Sequence, residues 1–555
     1  MTKPINSLFI ASLILLLSID AVYAGKSAIA TAHPLATRAG MEILQQGGNA
    51  FDAAVAVSAA LAVVEPASSG LGGGGFWLLH RAKDGFDVMI DGREKAPLAA
   101  TKNMFIDQNG NVDTELSRNS ALSAGIPGLP AAIVHLSKHY GRLPLQDTLK
   151  PAIAYAQQGF ITGYRHRRML NHRSKVIQAN PEASAIFLKN LQIPDERSRL
   201  IQHDLGKTLI ALANQGRDGF YSGTVAEKLV NGTRNAGGIW TLNDLAKYKV
   251  IERQPIVGSY HGIQIISAAP PSSGGIVLIE ALNILEGFAL DRVDHKTRIH
   301  LIVEAMRHAY RDRALFLGDP DFIRIPDQQL LNKHYAAGIR SSIRSDRTLS
   351  SDNLASESLL QGGTDTTHFS IIDAEGNRVA ATLSINFPFG SGVIPPGTGV
   401  ILNNEMDDFV SQTGALNGYG LTGSNANAIE PGKRMLSSMT PTFLLDKDRI
   451  AVLGTPGGSR IISMVLLATL DFASGNGPES WTWLPRFHHQ YLPDVIQYEK
   501  GALTSDEVNS LTKLGHKLKE INYRYGNMQA VMWNIDSQQY HVASDPRGHG
   551  LALIK

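Results

Sequence analysis

Hydrophobic and polar positions change their period several times along the chain. From His33 to Val64 apolar residues recur at helical spacing, and Gly47-Gly48-Asn49 interrupts them, which predicts two helices. After the Ser- and Gly-dominated stretch 68–75, apolar runs at 76–80 and 86–90 flank the turn Ala82-Lys83-Asp84-Gly85 and predict a pair of strands. Helical periodicity dominates from about residue 130 to 340, most clearly over 151–158, 275–285 and 298–316. Residues 341–365 are rich in Ser and Asp and poor in core formers, so they read as an exposed, mobile connector. Strands return from Thr366: 368–372, 379–386, 449–454, 529–534 and 539–544. No repeat of solenoid period is present.

The N-terminus stands apart from this pattern. Lys3 precedes an apolar run over 8–17, and Ala21-Val22-Tyr23-Ala24 places small residues before a cut at Gly25. This is the layout of a secretory signal peptide covering 1–24. The run is shorter than the ~20 apolar residues that cross a bilayer. No Cys follows it, so lipid attachment there is excluded. The apolar stretch 53–64 stops between Asp52 and Glu65 and reads as a buried helix, so no membrane span is expected once the leader is removed. The expected destination is periplasmic or secreted.

With 555 residues the chain implies two to four structural units, or one large two-layer core with helical additions. Lys and Arg number 52 against 50 Asp and Glu, a net charge of +2, which argues against nucleic acid or an anionic membrane as a partner. Zero Cys excludes a thiol nucleophile, a Cys-ligated zinc, an iron–sulfur cluster and any disulfide. Catalysis must use oxygen or nitrogen nucleophiles.

Three motifs mislead. The glycine run 70–75 matches G-x-G-x-x-G, yet it follows a helix and opens a strand, the reverse of a dinucleotide fingerprint. It reads instead as backbone that must approach something closely. His300, Glu304 and His308 share one helix face, and His488-His489 are adjacent; both read as hydrogen-bonding residues, and no metal is expected. There is no G-x-S-x-G elbow and no phosphate-binding loop.

The informative stretch is TTHFSII at 366–372, DAEGN at 373–377 and RVAATLSIN at 378–386. Two strand-like runs about a polar loop predict a hairpin. Centred on Glu375, it pairs residues whose numbers sum to 750, so Thr366 faces Ser384, with Asn386 one same-face step beyond. A hydroxyl is a weak nucleophile unless a base sits beside it, and a Thr can carry its own base only as a free α-amine. That amine exists only if the chain is cut before Thr366, a point to which the connector leads. An ordinary loop entering a strand would show the same pattern.

The run TTHFSIIDAEGNRVAATLSIN resembles the processing site of the gamma-glutamyltransferases (gamma-glutamyltranspeptidases), members of the N-terminal nucleophile hydrolases. The likeness continues through GGNAFDAAVA at 47–56, SGLGGGGF at 69–76, DGREKAP at 91–97, PPSSGG at 270–275, GDPDF at 318–322, NNEMDDF at 403–409, LSSMTPT at 436–442, GTPGGSR at 454–460, PRFHHQ at 485–490 and ASDPR at 543–547.

The resemblance implies an α+β fold, a four-layer αββα sandwich, and autocatalytic cleavage between Asp365 and Thr366. A large chain, 25–365, and a small chain, 366–555, then stay together as a heterodimer. It implies Thr366 as nucleophile and Ser384 as its hydrogen-bonding neighbour, where the family often has Thr. It implies Gly457 and Gly458 as the oxyanion site, and Arg93, Ser437 and Ser438 as ligands of a donor α-carboxylate. Asn386, Glu405 and Asp408 are implied around its ammonium, and Tyr419 in a lid over the site. The substrates implied are glutathione and other γ-glutamyl compounds, with water, an amino acid or a peptide as acceptor, and no cofactor. Two rivals remain: a cephalosporin acylase taking glutaryl groups, and an uncleaved, catalytically silent scaffold.

Overall fold

The computed structural model describes residues 26–351, 366–412, 417 and 419–555. The expected signal peptide 1–24 and Asp365 lie outside them.

Two antiparallel sheets stack on one another. The first runs, in spatial order, Leu551–Ile554, Ala28–Thr31, Thr367–Ile372, Arg378–Ser384, Gly74–Arg81, Phe86–Gly92 and Ile251–Arg253. The second runs Gln539–Ser544, Gln529–Asn534, Arg449–Gly454, Thr442–Leu445, Ile263–Ser267 and Ile256–Tyr260. Period two divides the first sheet's side chains between two cores. Trp77 and Leu79 pack outward against helices that include Pro34–Gln45, Ala50–Val64 and Leu145–Gln158. Phe76 and Leu78 point the other way, into the core formed with the second sheet and helices Gly274–Leu285, His295–Phe316 and Arg460–Ala473. The layers are therefore αββα.

Helix Ala50–Val64 is buried on every side, as an all-round apolar helix must be. It starts at a capping box: Asn49 Oδ1 accepts the Asp52 N–H at 3.0 Å, and Asp52 Oδ2 accepts the Asn49 N–H at 3.0 Å.

The processing-site hairpin has the expected register, with Thr367 opposite Leu383 and His368 opposite Thr382. Asp373 Oδ1 closes the turn by accepting the N–H groups of Glu375 and Asn377, both at 2.9 Å. The glycine run lies beside the second hairpin strand. A Cβ on Gly73 would stand 2.2 Å from the Ser384 carbonyl oxygen, and one on Gly75 would stand 2.5 Å from that of Thr382. The run is glycine because backbone meets backbone there.

Two expectations need correction. The strands Ile251–Arg253, Ile256–Tyr260 and Ile263–Ser267 interrupt the stretch whose periodicity reads as helical. Residues 344–347 are exposed, as expected of a connector, but 348–351 turn inward, and the segment is held by hydrogen bonds. The Arg344 carbonyl accepts from His300 Nε2 at 2.7 Å, Thr348 Oγ1 donates to Glu304 Oε1 at 2.6 Å, and the Ser351 N–H donates to Asp494 Oδ2 at 2.9 Å. The end of this polar segment is drawn in because a charged network under it supplies its partners; residues 352–365 lie outside the described residues. His300 also meets His516, Nδ1 to Nε2 at 2.7 Å, a hydrogen-bonding separation.

Candidate active site

Thr366 stands at the head of strand Thr367–Ile372 and is 3% exposed. Its Oγ1 lies 3.5 Å from Ser384 Oγ, longer than a settled O–H···O bond. Ser384 Oγ accepts the Asn386 N–H at 2.8 Å, so its own proton is available to Thr366. Asn386 has left the strand and adopts φ +72°. Its Nδ2 donates to the Asn404 carbonyl at 2.9 Å, which leaves Oδ1 as an acceptor.

Strand Phe86–Gly92 delivers Arg93 to the same place, fully buried. Its Nη1 lies 2.7 Å from Glu405 Oε2 and 3.6 Å from Glu94 Oε2, and its Nη2 lies 2.6 Å from Asp408 Oδ2. Glu405 and Asp408 open and close one 3-10 turn, which turns both carboxylates toward the guanidinium. One cation cannot keep three buried carboxylates ionised. Burial, reinforced by Glu405, pushes Glu94 well above the usual carboxylate range, and both its oxygens lack hydrogen-bond partners. Burial also raises Asp408, to about 8, against the pull of Arg93.

Gly457 and Gly458 link strand Arg449–Gly454 to helix Arg460–Ala473, with φ +144° and +58°. The second is pressed by Tyr419, whose Cδ1 would lie 2.2 Å from a Cβ there. Tyr419 is buried: its hydroxyl donates to the Asn386 carbonyl at 2.9 Å, and its ring stacks on Phe387 with centroids 5.3 Å apart. Gln490 Nε2 holds the backbone next to Tyr419 through the Gly420 carbonyl at 2.8 Å. Residues 413–416 and 418, which fall in the segment expected to form a lid, lie outside the described residues.

Arg93, Thr366, Ser384, Asn386, Glu405, Asp408, Tyr419, Ser437, Ser438 and Gly458 all line one cavity of about 320 Å³. Gly457, next in the chain to Gly458, does not line it. Sequence reasoning missed Arg313, which lines the cavity as well. It lies near the end of the long helix His295–Phe316, in a charged run that reads as solvated surface. Only its place in a buried helix of the second core separates it from its neighbours.

A hydroxyl beside a second hydroxyl, glycine N–H groups free of Cβ atoms, and a wall of paired opposite charges fit acyl transfer from a zwitterionic donor. Comparisons with known proteins show the family. The family model described as Gamma-glutamyltranspeptidase matches residues 36–554. A glutathione hydrolase proenzyme of Pseudomonas sp. (strain A14) is 43% identical over 539 residues, 95% of this chain and 93% of that one. A cephalosporin acylase structure from Bacillus halodurans aligns with a TM-score of 0.84 at 27% identity, over 100% of this chain and 99% of that one. A Helicobacter pylori gamma-glutamyltranspeptidase structure aligns with a TM-score of 0.56 at 43% identity, over 57% of this chain and 92% of that one. By its sequence, its layers and its hairpin, the chain belongs to the gamma-glutamyltranspeptidase family.

Proposed function

We propose that this protein is an exported γ-glutamyl hydrolase and transpeptidase that acts on glutathione and related γ-glutamyl compounds after cutting itself before Thr366. The observation that carries the reading is the hairpin register, which sets a buried Thr hydroxyl beside Ser384 in a cavity whose far wall pairs Arg93 with Glu405 and Asp408. In maturation the Thr366 hydroxyl attacks the Asp365 carbonyl carbon and displaces its own amide nitrogen, giving an ester. Water opens that ester, leaving a carboxylate on 25–365 and a free amine on 366–555. Loss of 1–24 on export completes the mature heterodimer.

In turnover that amine accepts the Thr366 proton while Oγ1 attacks the γ-carbonyl of the donor. The N–H groups of Gly457 and Gly458 face the oxyanion. Collapse of the tetrahedral intermediate expels the donor's amine, which takes the proton, and a γ-glutamyl ester remains on Thr366. Water or an acceptor amine then resolves it. Arg93, Ser437 and Ser438 take the donor's α-carboxylate, and Asn386, Glu405 and Asp408 its ammonium.

The likeness to a cephalosporin acylase favours a second reading, in which a glutaryl group without an ammonium is the donor. Asp408 and Glu405 oppose it, because a glutaryl group offers these polar side chains a methylene in place of an ammonium partner. Hydrolysis of γ-glutamyl and glutaryl 4-nitroanilides separates the two, and faster glutaryl turnover would overturn the assignment. N-terminal sequencing of the smaller fragment tests the cut: it is expected to begin Thr-Thr-His-Phe. A single persistent band in active material would end the mechanism.

A further inference from the structure

We propose that Arg313 is a second guanidinium for the donor's α-carboxylate, acting with Ser438 across the cavity from Thr366, and that it sets the preference for donors carrying that group. The inference rests on the γ-glutamyl reading above and deepens it.

Arg313 is 5% exposed, and its guanidinium is oriented by hydroxyls alone. Nε donates to Ser273 Oγ at 2.9 Å and Nη2 to Ser438 Oγ at 3.2 Å. Ser273 Oγ in turn donates to the Ser437 carbonyl at 2.7 Å, so one arginine fixes both sides of the Ser437-Ser438 segment.

The two cavity arginines differ in charge compensation. Arg93 meets two carboxylates within 2.7 Å and a third at 3.6 Å. Among the described residues no carboxylate oxygen lies within 4.0 Å of the Arg313 guanidinium. A buried cation with no counter-ion in direct contact is costly, and burial lowers this one to about 10 although Tyr310 and Asp408 favour its charge from farther off. An entering zwitterion corrects the imbalance. Its ammonium takes up Asp408 and Glu405, which are spent on Arg93 until then, and its carboxylate supplies the anion Arg313 lacks.

Arg313 and Asp408 also border an adjoining cavity of about 530 Å³, so a carboxylate on the leaving group or acceptor is the competing partner. Ser437 and Ser438 border the cavity that contains Thr366 and not the adjoining one. Because Nη2 is held by Ser438, the geometry favours the donor's own carboxylate.

The test deletes the charge from each side in turn. Kinetics on the processed heterodimer compare γ-glutamyl-4-nitroanilide with 4-aminobutyryl-4-nitroanilide, which keeps the ammonium and lacks the carboxylate. In Arg313→Gln, kcat/KM for the γ-glutamyl substrate is expected to fall about 10- to 100-fold, chiefly through KM, the scale of a charge-assisted hydrogen bond. The rate on the 4-aminobutyryl substrate is expected to stay within about threefold, the spread tolerated for a contact not made. Arg313→Lys is expected to recover part of the discrimination. Should Arg313→Gln fail to be processed, Arg313→Met decides the matter in its place: discrimination equal to that of the unaltered enzyme would overturn the inference. An equal loss on both substrates would mark a purely structural role and overturn it. So would a loss on glutathione with none on the γ-glutamyl anilide, which would assign Arg313 to the leaving group. If the unaltered enzyme did not prefer the γ-glutamyl donor, the donor assignment itself would fall, a result distinct from all of these.

Discussion

Arg93 Nη2 donates to Asp408 Oδ2 at 2.6 Å, so the two groups assigned to opposite ends of a zwitterion bind one another. A donor would exchange that contact for two new ones. Asp408→Asn keeps the shape and hydrogen-bonding reach but removes the charge that meets the ammonium. It is expected to be processed normally and to show a donor KM about 10- to 100-fold higher, with kcat changed far less. Steady-state kinetics on gel-verified heterodimer check this. An unaltered KM would take Asp408 out of the donor site.

Burial holds Asp408 at about 8, with Arg93 working against that rise. The sign follows. Below about 8 the group is largely neutral, and its charge appears as pH rises, so donor KM is expected to fall between about pH 6.5 and 8.5. Stability runs the other way, because a carboxyl raised from an ordinary value near 3.9 favours the folded state less as pH climbs from about 4 to 8. The Thr366 amine ionises nearby, with an ordinary α-amine near 7.7–8.0, but it is expressed in kcat. Measured pH profiles of Asp408→Asn should lose the KM limb and keep the kcat limb. A KM limb that survived in the variant would belong to another group.

Ser384 Oγ takes the Asn386 N–H and stands 3.5 Å from Thr366 Oγ1, so its proton is free to turn toward the proposed nucleophile. Ser384→Ala removes that donor and strands a buried N–H. Slower self-cleavage on a time-course gel and a kcat lower by about 10- to 100-fold are expected. Ser384→Thr keeps the hydroxyl and should retain both functions.

The hairpin was legible in the sequence because period two and one short polar loop leave a single register that buries both strands. From Thr366 opposite Ser384 the rest of the donor cavity followed by motif, including Glu405 and Asp408, whose carboxylates share one turn. Arg313 and the anchored tail 344–351 were not legible. Their partners lie at long range: Ser438 is 125 positions from Arg313, and Asp494 is 143 from Ser351. A charged side chain in a helix reads as solvated until the element that covers it is known.

The tail network predicts a stability effect remote from the chemistry. Arg307 donates to Asp494 Oδ1, to Thr348 Oγ1 at 3.0 Å and to Glu304 Oε1 at 3.3 Å, and is fully buried. Arg307→Ala leaves two carboxylates without their cation and should cost about 3–5 kcal/mol, read by denaturant unfolding. Burial would raise Asp494, but the His489 hydrogen bond and Arg307 outweigh it and hold the carboxyl well below its usual range. The stability it contributes is therefore present above about pH 4 and lost as pH falls further. Flattening of that acid limb in Arg307→Ala is expected. A variant as stable as the parent would mean the network is not coupled to folding.

Gly458 offers the sharpest test of the oxyanion site, because two effects of one added methyl can be separated. A Cβ there would meet Tyr419 Cδ1 at 2.2 Å, and the residue's φ of +58° strains any side chain. Gly458→Ala must therefore either displace Tyr419 or turn the peptide whose N–H is proposed to face the reacting carbonyl. Loss of one oxyanion donor lowers kcat by about 10²–10³, whereas a displaced lid acts mainly on donor affinity. The double variant Gly458→Ala/Tyr419→Ala removes the clash and keeps the backbone strain. If the lid is the cause, the double variant should match Tyr419→Ala alone. If the oxyanion site is the cause, it should remain about 10²–10³ below Tyr419→Ala in kcat with little further change in KM, and that is the expected result.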